Sequence, residues 1–109
     1  MTDSISTNLE KWAIQKEQRL GMGDVLAQPR SIDHFAYFKS RRALARACRE
    51  LEAIGFTVSA KQRFFQNSLS AARYEALDDE NVSNFLKVVI QIVEGNRGTY
   101  DGFGGGLVN

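Results

Sequence analysis

Between Ser31 and Val58 the hydrophobic pattern changes period twice, and the rest of the chain is organised around that stretch. Ile32, His34, Ala36 and Phe38 alternate with Asp33, Phe35, Tyr37 and Lys39, the period of two that gives a strand two distinct faces. Ser40 then stands where an N-cap would, able to accept a hydrogen bond from an orphan backbone N–H of the following turn. Leu44, Ala47, Cys48, Leu51 and Ile54 recur at helical spacing, and Gly55 sits where helices often end on a left-handed residue. Phe56 and Val58 open a second extended segment. A strand–helix–strand unit needs a sheet to lie in, so the flanks must supply one.

On the N-terminal side, residues 1–7 are polar and expected to fray, and the pattern predicts a helix over 8–20. Its thin apolar side comprises Leu9, Trp12, Ala13 and Leu20, with Glu10, Lys11, Glu17 and Arg19 mostly elsewhere, so it must dock to be stable. Gly21 to Asp24 ends it, Val25 and Leu26 offer a small anchoring contact, and Pro29 stiffens the approach to the first strand. After Val58, residues 59–68 read as the tail of the second strand and a loop or hairpin; Leu69 to Leu77 reads as a third strand. Its Leu69, Ala71, Arg73, Glu75 face is the more polar and is expected to be the more solvated. Asp78 or Asp79 suits an N-cap. Val82, Phe85, Leu86, Val89 and Val93, broadened by Val88 and Ile92, give the clearest helical stripe in the chain. Gly95 to Gly98 contains its stop, and Thr99 to Val108 reads as a last strand whose glycines suggest a bulge or close backbone approach.

The predicted order is helix, then strand–helix–strand–strand–helix–strand. The last six elements match an α+β, ferredoxin-like two-layer sandwich, βαββαβ, over 30–108, with the extra helix at an edge or across the other face. Its 109 residues suffice for a single domain with one core.

Composition narrows the partners only slightly. Fourteen Lys and Arg against 13 Asp and Glu leave a net charge of +1, which favours no class of partner in bulk. No apolar run approaches membrane-spanning length, and the N-terminus lacks a signal-peptide pattern, so a cytoplasmic protein is expected. The single Cys48 lies on an apolar helical stripe near mid-helix, away from an activating N-terminus, and reads as a small hydrophobe rather than a nucleophile paired with His34. His34 is the only histidine, which excludes a multi-histidine metal site and favours a structural or surface role. The glycines at 102–106 lack the following helix that a phosphate loop requires. Asp78, Asp79 and Glu80 lack the spaced oxygen ligands of a calcium loop; helix capping explains them. No catalytic residue, cofactor or metal is expected.

Two features could carry binding. Arg42, Arg46 and Arg49 share one helix face, which is either a solvated surface beside Glu50 and Glu52 or a docking surface for acidic groups or RNA phosphates. Phe35 and Tyr37 share a strand face with Asp33 and Lys39, and Lys61, Arg63, Phe64 and Phe65 add charge and rings nearby in sequence. Exposed aromatics on such a sheet can stack RNA bases. The expectation here is that these rings are core or are covered by the N-terminal helix.

Three pieces of the chain resemble the regulator of ribonuclease activity B proteins, protein inhibitors of ribonuclease E. They are Ile32-Asp33-His34-Phe35 after a linker bearing Gly23-Asp24; the helix ending Ala53-Ile54-Gly55-Phe56-Thr57-Val58; and the closing Tyr100-Asp101-Gly102-Phe103-Gly104. The resemblance implies a ferredoxin-like sandwich without catalytic activity that binds a protein partner, a ribonuclease E-type enzyme, and alters RNA decay. Within the signature, Tyr100 and Phe103 are expected to pack, and Asp101 with the glycines to fix a local turn or bulge. The chain departs from the family in charge. The ribonuclease regulators of the family are strongly acidic, whereas this sequence is near neutral, has an arginine-rich helix and stops at Asn109 without an acidic tail. Steering toward a basic ribonuclease segment is therefore expected to be weaker, or reversed at that helix. The alternative function is direct RNA binding through Arg42, Arg46, Arg49 and the strand aromatics.

Overall fold

The computed structural model describes residues 3–63 and 66–109; Met1, Thr2, Phe64 and Phe65 lie outside it, and with them part of the frayed-terminus expectation and the two rings proposed near Lys61. The elements run α1 (Ser4–Gly21), β1 (Arg30–Phe38), α2 (Arg41–Ala53), β2 (Thr57–Gln62), β3 (Asn67–Glu75), α3 (Asp79–Gly95) and β4 (Thr99–Gly105). The strands form one antiparallel sheet in the order β2-β3-β1-β4. The two nearest in sequence to α2, β1 and β2, are thus separated by β3, and the two flanking α3 are separated by β1.

Local chemistry places the helix ends. Asp3, Ser40 and Asp78 each accept a hydrogen bond from the backbone N–H three residues on, at 2.7, 3.0 and 3.2 Å. The C-termini of the three helices also share one geometry, paired bonds that turn the chain back on the last carbonyls. These are Asp24 N to Arg19 O with Gly23 N to Leu20 O, Phe56 N to Leu51 O with Gly55 N to Glu52 O, and Gly98 N to Val93 O with Arg97 N to Glu94 O. The residue at the left-handed position is Gly23 (φ 82°), Gly55 (φ 99°) and, in α3, Arg97 (φ 60°). Only the last of these carries a side chain into a conformation that glycine adopts at less cost.

All helices pack on one face of the sheet. Ile32, Ala36 and Phe38 of β1 and Leu69 and Ala71 of β3 meet Leu44, Ala47 and Leu51 of α2 and Val82, Phe85, Leu86, Val89, Ile90 and Val93 of α3 in one core. Val88 instead faces solvent, so it does not broaden the α3 stripe. The N-terminal helix, α1, packs beside α3, with Trp12 against Phe103 of β4 (centroids 6.0 Å apart) and its indole N–H donating to Asp79 at 3.1 Å. It extends the helical layer at the β4 side and leaves the opposite sheet face open.

Four expectations need correction. Residues 4–7 do not fray, because α1 begins at Ser4 with Asp3 as its cap. In α1, Ala13 and Leu20 are exposed while Arg19 is buried, because the guanidinium has partners that a leucine could not use. In β3 the polarity reading is inverted: Leu69, Ala71 and Glu75 are buried and Tyr74 is 74% exposed. The register dictates this, since Leu69, Ala71 and Glu75 pair with Ala36, His34 and Arg30 on the inward face of β1. Arg73 and Glu75 tolerate that face because Arg73 lies 4.1 Å over the Phe56 ring and donates to Glu75 Oε1 at 2.7 Å. Finally, β3 and β4 end at Glu75 and Gly105, short of Leu77 and Val108.

A buried ionic clasp fixes the two ends of the chain. Asp24 accepts from Arg30 Nη1 at 2.6 and 2.8 Å, from Arg19 Nη1 at 3.0 Å and from the Val108 N–H at 3.1 Å. The same guanidiniums donate to the Gly105 and Gly106 carbonyls. Burial by itself would raise the Asp24 carboxyl, but the hydrogen bonds from Arg30, Arg19 and Val108 outweigh it and hold the group below the ordinary aspartate range. Removing one partner of a buried network leaves the others uncompensated, so Asp24→Asn should cost about 3–5 kcal/mol near neutral pH. The unfolded carboxyl titrates near pH 4, so the stabilisation is complete above that value and lost as pH falls through the lower folded-state value. Denaturant unfolding across this acid range should show the loss in the native protein and a flatter profile in Asp24→Asn.

A candidate protein-binding face

The open face is built from the outward residues of β1 and their partners in register. Phe35 lies opposite Ser70, which lies opposite Ser59 of β2; Tyr37 lies opposite Ser68, which lies opposite Lys61. The serines are too short to fill the space between the two rings and the β2 edge, and a trough of about 300 Å³ results, lined also by Lys61 and Asp101. Phe35 is 42% exposed and Tyr37 half-buried. This overturns the expectation that α1 covers Phe35; the helix only rims it, through Lys11, Trp12 and Gln15.

The closing Tyr-Asp-Gly-Phe-Gly segment shapes the other side of this trough. Tyr100 pairs with Ala36, yet Gly102 pairs with Phe35, so Asp101 is an extra residue in β4 at a register shift. Gly102, at φ +112°, takes the backbone conformation that the bulge needs. The expected bulge is therefore present. Asp101 turns outward and accepts from the Tyr37 hydroxyl at 3.0 Å. That hydrogen bond, reinforced by the aspartate charge, raises the Tyr37 phenol above its usual value.

Tyr100 and Phe103 turn inward. Phe103 packs edge-on against Phe85 (5.0 Å between centroids) and near His34 (5.9 Å). His34 is fully buried, with Nδ1 2.9 Å from the Tyr100 hydroxyl and Nε2 3.3 Å from Glu75 Oε2. Since a carboxylate can only accept, the network assigns the proton to Nε2, and Nδ1 then accepts from Tyr100. Burial, with the nearby Glu75 charge, pushes the Tyr100 phenol well above its ordinary range and keeps it protonated as that donor. Both imidazole nitrogens are thus engaged, and neither serves Cys48. Burial first, and Glu52 second, raise the Cys48 thiol, which opposes thiolate chemistry.

The arginines do not join this face. Arg42, Arg46 and Arg49 are exposed on α2, in the helical layer on the far side of the sheet from Phe35 and Tyr37. The single surface of arginines and stacked rings on which direct RNA binding relied is not assembled. Two contributors to the trough were not singled out from the sequence, Ser59 of β2 and the Ser68, Ser70 row of β3. Their signal was the alternation Ser68, Ser70, Ala72 against Asn67, Leu69, Ala71, which was assigned to the wrong faces.

A family profile for regulator of ribonuclease activity B matches residues 17–105 of the 109. The chain belongs to this family. The match spans Asp24, the whole sheet and the bulged closing strand, and it begins at Glu17, so Trp12 and Lys16, which dock α1 on Phe103 and Asp79, lie before it. No curated protein matches the chain. The family is regulatory and non-catalytic. Among the described residues there is no group of three or more His, Cys, Asp or Glu placed to hold a metal, and no helix long and apolar enough to cross a membrane.

The Tyr37–Asp101 bond gives the face a spectroscopic handle. Asp101→Asn removes the charge that disfavours the phenolate, so the Tyr37 titration should move down toward the ordinary tyrosine value near 10. Side-chain NMR of Tyr37 across the alkaline range reads this directly.

Proposed function

We propose that this protein is a non-catalytic regulator that docks on a ribonuclease E-type endoribonuclease through the open sheet face, slows its cleavage of RNA and so modulates RNA decay in the cytoplasm. In this reading residues 1–109 act as one ferredoxin-like domain with an added N-terminal helix. The strand order β2-β3-β1-β4 supports that fold. Family membership supports regulation of a ribonuclease. The observation that carries the choice of surface is the trough between Phe35, Tyr37 and Asp101, left uncovered while every described helix packs on the other side. Rings beside an unfilled, water-accessible pocket are the anchors that protein interfaces use.

Phe35 and Tyr37 are the proposed anchors, and Asp101 and Lys61 supply one charge of each sign at their margins. The near-neutral total charge predicts an association less dependent on electrostatic steering than that of a strongly acidic regulator.

The test is cleavage of a labelled RNA by purified ribonuclease E from the same cell, with and without this protein, beside a titration onto the RNA alone. Saturable inhibition without RNA binding is expected. Phe35→Asp should weaken it by about 10–30-fold, the loss of one interface anchor, while its unfolding midpoint stays close to wild type. Unchanged cleavage at large excess and low salt would remove the proposal. RNA binding without ribonuclease contact would transfer the function to Arg42, Arg46 and Arg49 on α2.

A further inference from the structure

On the other side of the molecule, three cations from three different segments line one cavity. Lys39 follows β1, Arg46 lies in the second turn of α2, and Arg97 is in the turn between α3 and β4; Ser40, Ala43 and Asn96 complete a lining of about 380 Å³. No acidic residue is among them. Among the described residues, none of the three cationic side chains forms a salt bridge. Glu50, on α2 one turn beyond Arg46, accepts from Asn96 Nδ2 at 2.9 Å and, among the described residues, forms no salt bridge with the three cations.

Arg97 adds an independent observation. It holds the left-handed position at the end of α3, where α1 and α2 have Gly23 and Gly55. An arginine in that conformation is less favourable than glycine, and such residues persist where surrounding structure or function requires the side chain. The neighbour that cannot change is Gly98, because a Cβ there would drive into the Phe38 ring. Packing therefore explains a glycine at 98 and offers no reason for an arginine at 97.

We propose that this cavity binds a phosphoryl group, carried either by a free nucleotide or by the backbone of RNA. Two arginines and a lysine lining one concavity can offer charge-assisted donors to the non-bridging oxygens of a phosphate, two on a diester and three on a monoester. The Ser40 Oγ accepts from the Ala43 N–H, and its own hydroxyl proton remains free to donate to an anion. The site is separate from the proposed protein-binding face, so either can fail without the other.

NMR titrations with inorganic phosphate, adenosine 5′-monophosphate and a short uridine oligonucleotide, with adenosine and a glutamate-rich peptide as controls, test this. Saturable amide shifts at Lys39, Arg46 and Arg97 are expected with the phosphorylated probes and not with adenosine. Arg46→Gln and Arg97→Gly should each weaken binding about tenfold, and Lys87→Gln, the same charge change on α3, should not. Arg97→Gly should at the same time raise the melting temperature, which a merely damaged protein would not do. Much tighter, steeply salt-dependent binding of the oligonucleotide would assign RNA as the source; equal binding of the mononucleotide would assign a free phosphoryl ligand. No shift at millimolar phosphate, a stronger response to the acidic peptide, or equal losses in Lys87→Gln and Arg46→Gln would overturn the proposal.

Discussion

The structure depends on one extra residue in its last strand. In a regular strand with Tyr100 facing the helices, Phe103 would face the opposite side, because odd separations change faces. The bulge at Asp101 and Gly102 cancels that rule, and Tyr100 and Phe103 both point into the core. Two consequences follow from the same backbone event. The inward Phe103 gives Trp12 a ring to pack on, which places α1 beside α3 instead of across the sheet. The displaced Asp101 reaches the Tyr37 hydroxyl and closes one end of the open-face trough. The closing signature is therefore a geometric device with an inward and an outward product, and its glycine at 102 is the residue type the positive φ demands.

Inside, polar groups hold what apolar packing alone would leave in more than one arrangement. His34 lies among Phe56, Phe85, Tyr100 and Phe103, and its two nitrogens select one position for Tyr100 and one for Glu75. Glu75 is held in turn by Arg73 over Phe56. At the far end of β1, Asp24 joins α1, the connection to β1 and the segment after β4 through two guanidiniums and the Val108 N–H. Each network has a high cost if half made and little cost when complete. They give the sheet a defined register at the positions where β1 meets both its neighbours.

How much of this was legible in the sequence follows from the range of the interactions involved. The β1–α2 unit was readable in order and face, apart from Ile54, which is exposed at the helix end, because its signals are local: alternation from Ile32 to Phe38, the Ser40 cap and Gly55 after the helix. The bulge was readable in outline from Gly102 and its neighbours. The face of β3 was not, because Arg73 and Glu75 look solvated by their own chemistry and become inward only through partners 19 and 41 positions away. Arg19 was misplaced on α1 for the same reason, its partners Gly105 and Gly106 lying at the other end of the chain. The candidate site divides similarly. Phe35 and Tyr37 were found by periodicity, but their separation from Arg42, Arg46 and Arg49 is a property of the two layers and has no local signature.

That separation changes the meaning of the net charge. A total of +1 suggests a surface with no electrical character, yet the cations and the aromatic face occupy opposite layers. Lys39, Arg42, Arg46, Arg49 and Arg97 belong to the helical side, whereas the open face and its rim carry Asp33 and Asp101 beside Lys61 and Lys11. Such a distribution exerts little net attraction at distances beyond the Debye length of about 8 Å in physiological salt, but it orients the molecule within that distance. A basic segment approaching this protein would meet the open face more favourably than α2, and a polyanion would meet the reverse. The physical consequence is that binding a protein on the sheet and a phosphate on the helices need not compete for the same surface. The arginines that mark the departure from an acidic regulator, Arg42, Arg46 and Arg49, lie on the side that the proposed partner does not occupy.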